Sequence, residues 1–231
     1  MPRTASDRSR LVWLFDLDNT LHNTSAAIFP QINRLMNAYI MRKLGLDEAE
    51  ASRLRTDLWR RYGATLLGLV KHHGVDPHEF LREAHAFDDL AALIDSERGL
   101  VHALKRLPGR KVLLTNAPTH YAERVLYHLG LDAHFRRRYA VEQMRVRGRF
   151  MPKPSRTMLA HVIARERVRP RQCVFVEDTV VNLKRAKALG LRTVLVTGMT
   201  WRRQIYAKLP TGVDLKVKSV TSLPRAMAHL R

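Results

Sequence analysis

The sequence predicts an α/β protein: a doubly wound, Rossmann-like parallel sheet with a small all-helical cap inserted after the first strand. Two observations lead to this prediction. Apolar runs alternate with helical patterns from about residue 97 onward, which is typical of parallel strands covered by helices on both faces. A separate apolar run at residues 11–15 comes earlier, and the block between has helical spacing without a convincing strand.

The block after the first strand contains several predicted helices. An apolar stripe within residues 28–40 predicts the first helix, and Gly45 follows its expected end. Asp76 and Pro77 form a pair that commonly opens a helix. The further helices of this block are predicted at about residues 47–61, 64–73 and 77–85.

The remaining elements follow from the alternation after residue 97. Gly130 and Gly190 are placed to end two of the helices. In chain order, the pattern predicts a helix at 97–106, a strand at 111–116, a helix at 118–129, a weak strand within 138–143, a helix at 155–167, a strand at 173–178, a helix ending at 189, strands at 192–197 and 214–219, and a final helix.

The change of pattern divides the chain into two parts. We predict that residues 1–21 and 97–231 form the α/β catalytic core and that residues 22–96 form the helical cap. The charge distribution agrees, because residues 47–97 carry a local net charge of −5 and residues 136–171 one of +10. The cap is expected to act as a lid over the carboxyl edge of the sheet.

The composition limits the class of protein. An excess of 41 Lys and Arg over 21 Asp and Glu gives a net charge of +20, which attracts anions in general. No apolar run is long enough to span a bilayer, and the acidic residues after the first run argue against a signal peptide. The single cysteine, Cys173, excludes an intramolecular disulfide and a multi-cysteine metal site. We therefore expect a cytoplasmic protein without a membrane partner.

Acidic side chains stand at the expected carboxyl ends of two strands. Asp16 and Asp18 follow the first strand, and their spacing of two residues places them on the same face. Glu177 and Asp178 end the strand at 173–178. The carboxyl ends of parallel strands meet at one edge, where ligands bind in such sheets. We therefore expect these four acids to converge.

Converging carboxylates repel one another unless a cation lies between them. The chain offers no cysteine or histidine cluster at this edge, so the donors are all oxygen atoms, a set suited to Mg²⁺. Thr115 and Asn116 end the second strand of the core, and Lys153 precedes a helix. Because Mg²⁺ commonly takes phosphate oxygens of a substrate as further ligands, the set points to phosphoryl chemistry.

These residues resemble the four motifs of the haloacid dehalogenase superfamily, in its phosphatase branch. The first motif, D-x-D-x-T-L, stands here as Asp16-Leu17-Asp18-Asn19-Thr20-Leu21. The second, third and fourth motifs match Thr115, Lys153 and Glu177-Asp178, in the same order along the chain. Within the superfamily, "DLDNTLH" and the cap segment "RRYGATLLGLVKHHGVDP" at 60–77 resemble the pyrimidine 5'-nucleotidase subfamily.

The resemblance implies a role for each motif residue. Asp16 would be the nucleophile and form an aspartyl-phosphate. Asp18 would protonate the leaving oxygen and then deprotonate the attacking water; its presence favours a phosphatase, because dehalogenases of the family lack it. Thr115 would hydrogen-bond the transferring phosphoryl group, and Lys153 would neutralise its charge.

The resemblance also implies metal and substrate contacts. Mg²⁺ would bind Asp16, Asp178 and the backbone carbonyl of Asp18, with Glu177 supporting it directly or through water. Tyr62 and Thr65 in the cap either touch a nucleoside or only pack the cap. The full set of predicted substrate-binding residues is Asn19, Tyr62, Thr65, Asn116 and Asn182.

The predicted activity is Mg²⁺-dependent hydrolysis of a pyrimidine nucleoside 5'-monophosphate, UMP or CMP, a small phosphorylated substrate. Two alternatives remain. One is a phosphatase for another small phosphoester, phosphoglycolate or a sugar phosphate. The other is a nucleic-acid-binding protein on the same fold, although the intact motifs mean that a nucleic-acid partner is not required. The Arg-rich run at 136–149 is interpreted as a solvated face. The alternatives are that it steers anionic substrates or binds a polyanion.

Overall fold

A computed structural model describes residues 10–199 and 208–230 of the chain. The chain divides into two compact units, one formed by residues 26–93 and the other by the residues up to 25 and from 94 onward. We call them the helical unit and the sheet unit. Residues 22–25 and 94–96, which the sequence pattern assigned to the cap, belong to the sheet unit. In the part of the chain that the structure describes, no helix has the length and hydropathy needed to cross a membrane.

A six-stranded, all-parallel sheet forms the centre of the sheet unit, in the order β3-β2-β1-β6-β7-β8. From the central β1, the chain builds outward to one side and then returns to build the other, which is the predicted doubly wound arrangement. The strands in chain order are β1 (Val12–Phe15), β2 (Arg110–Leu114), β3 (Arg137–Tyr139), β4 (Arg145–Val146), β5 (Arg149–Phe150), β6 (Cys173–Glu177), β7 (Arg192–Val196) and β8 (Leu215–Val217).

Helices connect the strands, as the alternating pattern predicts. Strands β1 and β6 are buried along their whole length, which explains why they read as continuous apolar runs rather than alternating ones. The helices in chain order are α1 (Ile28–Leu44), α2 (Glu48–Tyr62), α3 (Thr65–His73), α4 (Pro77–Ala84), α5 (Leu100–Arg106), α6 (Thr119–His128), α7 (Arg156–Arg165), α8 (Val180–Lys187) and α9 (Leu223–Ala226).

The helical unit is built from α1 to α4. Gly45 ends α1 in a left-handed conformation with φ of 68°, which glycine adopts without strain. Asp47 begins α2 with a capping box, because its side chain accepts from the Glu50 N–H and the Glu50 side chain accepts from the Asp47 N–H. The Asp76-Pro77 pair opens α4 as predicted, with the Asp76 side chain accepting from a backbone N–H of the first turn.

Two local features differ from the sequence prediction. Strands β4 and β5 form a small antiparallel hairpin, where the pattern indicated only a solvated face. The guanidinium of Arg145 lies 4.0 Å from the ring centre of Phe150 across this hairpin, a cation–π contact that pattern analysis does not detect. The predicted final helix is a single turn, α9, flanked by 3₁₀ turns.

The register of the central strands brings their carboxyl ends to one level. Phe15 of β1 pairs with Leu113 of β2 on one side and with Val176 of β6 on the other. The N–H of Asp16 continues this pairing by donating to the Val176 carbonyl at 3.0 Å. The residues just beyond these strands therefore share one edge of the sheet.

Candidate active site

A buried lysine joins two of the acids at this edge. The Nζ of Lys153 donates to Oδ1 of Asp16 at 2.5 Å and to Oε2 of Glu177 at 2.9 Å. All three side chains are buried. Burial opposes a charged lysine, but the two carboxylates outweigh it and raise the pKa of Lys153 above its ordinary value. Lys153 is therefore a fixed positive charge between two strand ends.

Asn116 holds the backbone that carries Lys153. Its Nδ2 donates to the Lys153 carbonyl at 3.1 Å, and its Oδ1 accepts from the Lys153 N–H at 2.9 Å. Asn116 lies just beyond β2, so this strand end fixes the position of a segment 37 residues later. The side chain predicted to contact substrate is thus engaged with the Lys153 segment.

Three carboxylates of this edge form a compact group. Ligand oxygens of Asp16, Glu177 and Asp178 all lie within 4.8 Å of one another. Burial, followed by the charge of Glu177, raises the pKa of Asp16 well above its ordinary value and that of Asp178 to about 9. One lysine does not balance three carboxylates, so the group favours a further cation. Its all-oxygen donors fit Mg²⁺.

Glu177 makes more hydrogen bonds to the protein than Asp16 and Asp178, the other two acids of the group. Its Oε2 accepts from Asn182 Nδ2 at 2.9 Å as well as from Lys153. Its Oε1 accepts from the N–H groups of Asp178 and Thr179, at 3.2 and 3.1 Å. Burial opposes ionisation of Glu177, but Lys153 and these hydrogen bonds outweigh it and lower the pKa of Glu177. Asn182, a predicted substrate contact, thus also orients an acid of the group.

Asp18 lies in a separate environment from Asp16. Its Oδ1 accepts from Tyr121 Oη at 2.8 Å, from Thr24 Oγ1 at 3.1 Å and from His22 Nε2 at 3.2 Å. Burial opposes ionisation of Asp18, but these hydrogen bonds outweigh it and lower the pKa of Asp18. Without a bound cation, the pKa of Asp16 is therefore raised and that of Asp18 is lowered. A divalent cation beside Asp16 would favour its ionised form.

Asn19 closes the loop that carries two of these donors. It adopts a positive φ of 58°, which asparagine tolerates better than most residues. Its Oδ1 accepts from the N–H groups of Thr24 and Ser25 and from Ser25 Oγ, each at 3.1 Å. Its own N–H donates to Thr24 Oγ1 at 3.2 Å, so that Thr24 can turn its hydroxyl hydrogen toward Asp18. The oxygen of Asn19, predicted to contact substrate, is used within the loop.

Two hydroxyl groups complete the first and second motifs. Thr115 is buried, and its Oγ1 accepts from the Ala117 N–H at 3.1 Å. The accepting role leaves the hydroxyl hydrogen of Thr115 available to a ligand. Thr20 Oγ1 lies 3.5 Å from Oδ2 of Asp16, the oxygen that Lys153 does not contact.

The remaining predicted residues lie in the helical unit. Thr65 is buried at the start of α3, and its Oγ1 donates to the Arg55 carbonyl at 3.0 Å. The hydroxyl of Tyr62 makes a short hydrogen bond with His72, and the Lys71 Nζ lies 5.4 Å from the centre of the Tyr62 ring. Thr65 therefore has a structural role within the helical unit. Tyr62 is partly exposed at the surface of the same unit.

Sequence analysis missed three residues of the site: His22, Thr24 and Tyr121. His22 and Thr24 follow the first motif closely and are fully buried, which a polar pair in a loop does not suggest by itself. Tyr121 is 103 residues from Asp18 in the chain, and its helical position indicates only a core residue. The sequence does place Tyr121 in the first turn of the helix that follows the second motif, and this position could have indicated that it lies near the site.

The comparisons with known proteins agree with the fold and the motifs. A family profile described as haloacid dehalogenase-like hydrolase matches residues 12–190, and the chain belongs to this family of hydrolases. The crystal structure of a haloacid dehalogenase phosphatase from Thermococcus onnurineus superimposes with a TM-score of 0.65 at 18% identity, covering 96% of this chain and 99% of that one. At this identity the match shows the shared fold.

Two curated relatives are similar in sequence. Phosphoglycolate phosphatase 1 of Pseudomonas aeruginosa is 27% identical over 228 residues, which cover 91% of this chain and 78% of the relative. Phosphate metabolism protein 8 of Saccharomyces cerevisiae is 33% identical over 70 residues, which cover 30% of this chain and only 22% of the yeast protein. The chain is thus similar to a phosphatase over most of its length.

Proposed function

We propose that this protein is a phosphatase that hydrolyses small phosphomonoesters through an aspartyl-phosphate on Asp16. The observation that carries the proposal is that the buried residues Asp16, Lys153 and Glu177 lie together with the half-buried Asp178 at one edge of the sheet. A second carboxyl group, that of Asp18, lies two residues after Asp16 and is held by its own hydrogen-bond donors, which supports acid–base work beside nucleophilic attack.

The reaction proceeds in two steps on the residues of this chain. A carboxylate oxygen of Asp16 attacks phosphorus as the ester P–O bond breaks, and Asp18 gives a proton to the leaving oxygen. Water then attacks the phosphorus of the aspartyl-phosphate, Asp18 takes its proton, and phosphate leaves Asp16. Lys153 offsets charge on the nucleophile and the phosphoryl group, and the hydroxyl of Thr115 donates to a phosphoryl oxygen.

The proposed metal is Mg²⁺. Asp16 and Asp178 would hold it, with the backbone carbonyl of Asp18 as a further ligand and Glu177 in support. When bound, it would neutralise the acidic group and polarise the phosphoryl oxygens. Catalysis is expected to disappear with a chelator and to return with added Mg²⁺.

For the substrate, we propose a pyrimidine nucleoside 5'-monophosphate, UMP or CMP. The support is the similarity of the segment at 60–77, which contains Tyr62 and Thr65, to the pyrimidine 5'-nucleotidase subfamily. A second candidate is phosphoglycolate, because the relative from Pseudomonas aeruginosa matches most of the chain. In either case the reaction partner is a small molecule, and the cytoplasmic location stays a prediction.

A phosphoester panel tests the proposal. Purified protein is freed of metal, returned to Mg²⁺ and assayed for phosphate release from UMP, CMP, AMP, phosphoglycolate and glucose 6-phosphate. We expect the highest kcat/KM with UMP or CMP and no activity in the Asp16→Asn variant. A preference for phosphoglycolate removes the nucleotidase assignment but keeps the phosphatase. No hydrolysis of any phosphoester, with either Mg²⁺ or Mn²⁺, overturns the proposal as a whole.

A further inference from the structure

The strongest unassigned feature is the set of three donors around one oxygen of Asp18. Tyr121, Thr24 and His22 all direct a hydrogen bond to Oδ1. Oδ2 accepts no hydrogen bond from any residue within the described ranges 10–199 and 208–230. Oδ1 of Asp18 is therefore occupied by protein donors, whereas Oδ2 is available to a ligand. One available oxygen is sufficient for a general acid.

We propose that Tyr121 is a positioning residue that fixes the carboxyl group of Asp18 so that Oδ2 is the oxygen that exchanges protons with the leaving group and with water. This inference rests on the proposed phosphatase function. It adds a residue outside the four motifs and predicts which class of substrate depends on it.

The contact distances favour Tyr121 over the other two donors. Its 2.8 Å distance is the shortest of the three, and it is the only one that comes from another element of the fold, helix α6. Thr24 and His22 belong to the same loop as Asp18 and move with it. Tyr121 instead ties the loop after β1 to the helix after β2, so it fixes Asp18 relative to Thr115 at the end of β2.

The burial of these groups supports the same arrangement. Tyr121, Thr24 and His22 are each fully buried, whereas the Asp18 side chain keeps 17% of its surface exposed. A carboxyl group that is covered by its partners on one side and accessible on the other can meet a ligand only through the accessible side. If the Asp18 carboxyl group is displaced, we expect the rate of proton transfer to the leaving oxygen to fall, while attack by Asp16 is not directly affected.

Substrates with different leaving groups can show whether Tyr121 acts on proton transfer by Asp18 or only stabilises the fold. In the first step the ester P–O bond breaks, and the electron pair goes to the leaving oxygen together with a proton from Asp18. An alkoxide leaving group, as in a nucleotide, needs that proton. The 2,4-dinitrophenolate anion is stable without it, so transfer of the phosphoryl group from 2,4-dinitrophenyl phosphate to Asp16, the step that kcat/KM reports, does not depend on the general acid. The second step needs Asp18 as a base with either substrate and affects kcat.

The test is the Tyr121→Phe variant, which keeps the buried ring and removes only the hydroxyl group. We expect kcat/KM for UMP, or for the best alkyl phosphate of the panel, to fall by about 10- to 100-fold, part of the usual contribution of a general acid. With 2,4-dinitrophenyl phosphate we expect kcat/KM to change by less than about threefold. Tyr127→Phe is the matched control, because Tyr127 lies on the same helix but is 73% exposed.

A double-mutant cycle shows whether Tyr121 acts through Asp18. Asp18→Asn should produce the same selectivity for the good leaving group, and adding Tyr121→Phe to it should cause little further loss. Equal losses of kcat/KM on both substrates in Tyr121→Phe, or fully additive losses of kcat/KM in the double variant, overturn the inference and leave the phosphatase proposal standing. A wild-type protein that hydrolyses neither substrate overturns the phosphatase proposal itself.

Discussion

The Nζ of Lys153 lies 2.5 Å from Oδ1 of Asp16, although 137 residues separate the two in the chain. The contact joins the end of β1 to a segment that Asn116, just beyond β2, holds by its backbone. The proposed nucleophile and the positive charge beside it are thus positioned by two adjacent strands of one sheet. Sites that are supported by strands or helices hold their geometry more precisely than sites built on loops alone.

The first prediction concerns the nucleophile. Asp16→Asn removes the carboxylate that attacks phosphorus in the proposed mechanism, so we expect no measurable turnover with any phosphoester. The amide fills the same space and removes one member of a crowded acidic group, so the fold should be kept. Circular dichroism and equilibrium binding of a substrate check the fold and the site. Turnover near the wild-type rate would exclude Asp16 as the nucleophile.

The second prediction concerns the buried lysine. Lys153→Met leaves Asp16 and Glu177 buried without their positive partner, a loss that typically costs about 3–5 kcal/mol of the free energy of unfolding. Urea unfolding of the metal-free protein measures it. Lys187→Met is the control, since the Lys187–Asp214 pair has a similar 2.5 Å distance but a lysine side chain that is 44% exposed. Such a surface pair contributes about 0–1 kcal/mol, and equal losses in both variants would contradict the prediction.

The third prediction concerns a buried acid far from the motifs. Glu166 accepts from Tyr139 Oη at 2.7 Å and from the guanidinium groups of Arg110 and Arg137 at 3.0 and 3.2 Å. Both arginines begin strands, so this group lies at the edge of the sheet opposite the candidate site.

In Glu166→Gln the two arginines lose a charged partner, but their side chains are 54% and 59% exposed and can be hydrated. We therefore expect a loss of about 1–3 kcal/mol in the free energy of unfolding, with kcat/KM for the best substrate unchanged. Urea unfolding and steady-state kinetics on the same preparation measure both. A large loss of activity at constant stability would show that this edge communicates with the site.

The sequence predicted the strands and the acids at their ends because both depend on local pattern. A buried parallel strand is a continuous apolar run, and Asp16, Asp18, Glu177 and Asp178 follow such runs directly. The orientation of a helix around its axis is a different matter, since it is set by packing. For that reason the contact between Tyr121 and Asp18 could not be predicted from the chain.

The roles of three asparagine side chains were also not determined by the sequence alone. Asn19, Asn116 and Asn182 were predicted to contact substrate, and in the structure each makes hydrogen bonds within the site. A sequence motif shows that an amide stands near the chemistry, but it does not distinguish an amide that binds a ligand from one that orients a neighbouring group. The hairpin of β4 and β5 was not predicted, because each of its strands has only two residues. That is too few to show the alternation of apolar and polar residues that indicates a strand.

The last prediction links pH, stability and metal through Asp178. In the metal-free protein the pKa of Asp178 is raised from 3.8 to about 9, mainly by burial and then by the charge of Glu177. Between these values the folded state keeps a proton that the unfolded state has lost. The free energy of unfolding therefore falls as pH rises from about 5 to 9, with a limiting slope of about 1.4 kcal/mol per pH unit for one such proton.

Asp178→Asn removes this proton linkage, so its melting temperature without metal should fall less between pH 5 and 9 than that of the wild type. Titrating groups remote from the site, such as His134 with its lowered pKa, contribute equally to both proteins and cancel in the difference. The pKa of Asp16 is also expected to fall when the neighbouring Asp178 is replaced, which further reduces the pH dependence of the variant. Mg²⁺ competes with the proton for Asp178, so it should raise the wild-type melting temperature more at pH 8 than at pH 6 and affect Asp178→Asn only weakly. Parallel curves for the two proteins, with and without Mg²⁺, would mean that Asp178 is neither the protonated acid of the group nor a ligand of the metal.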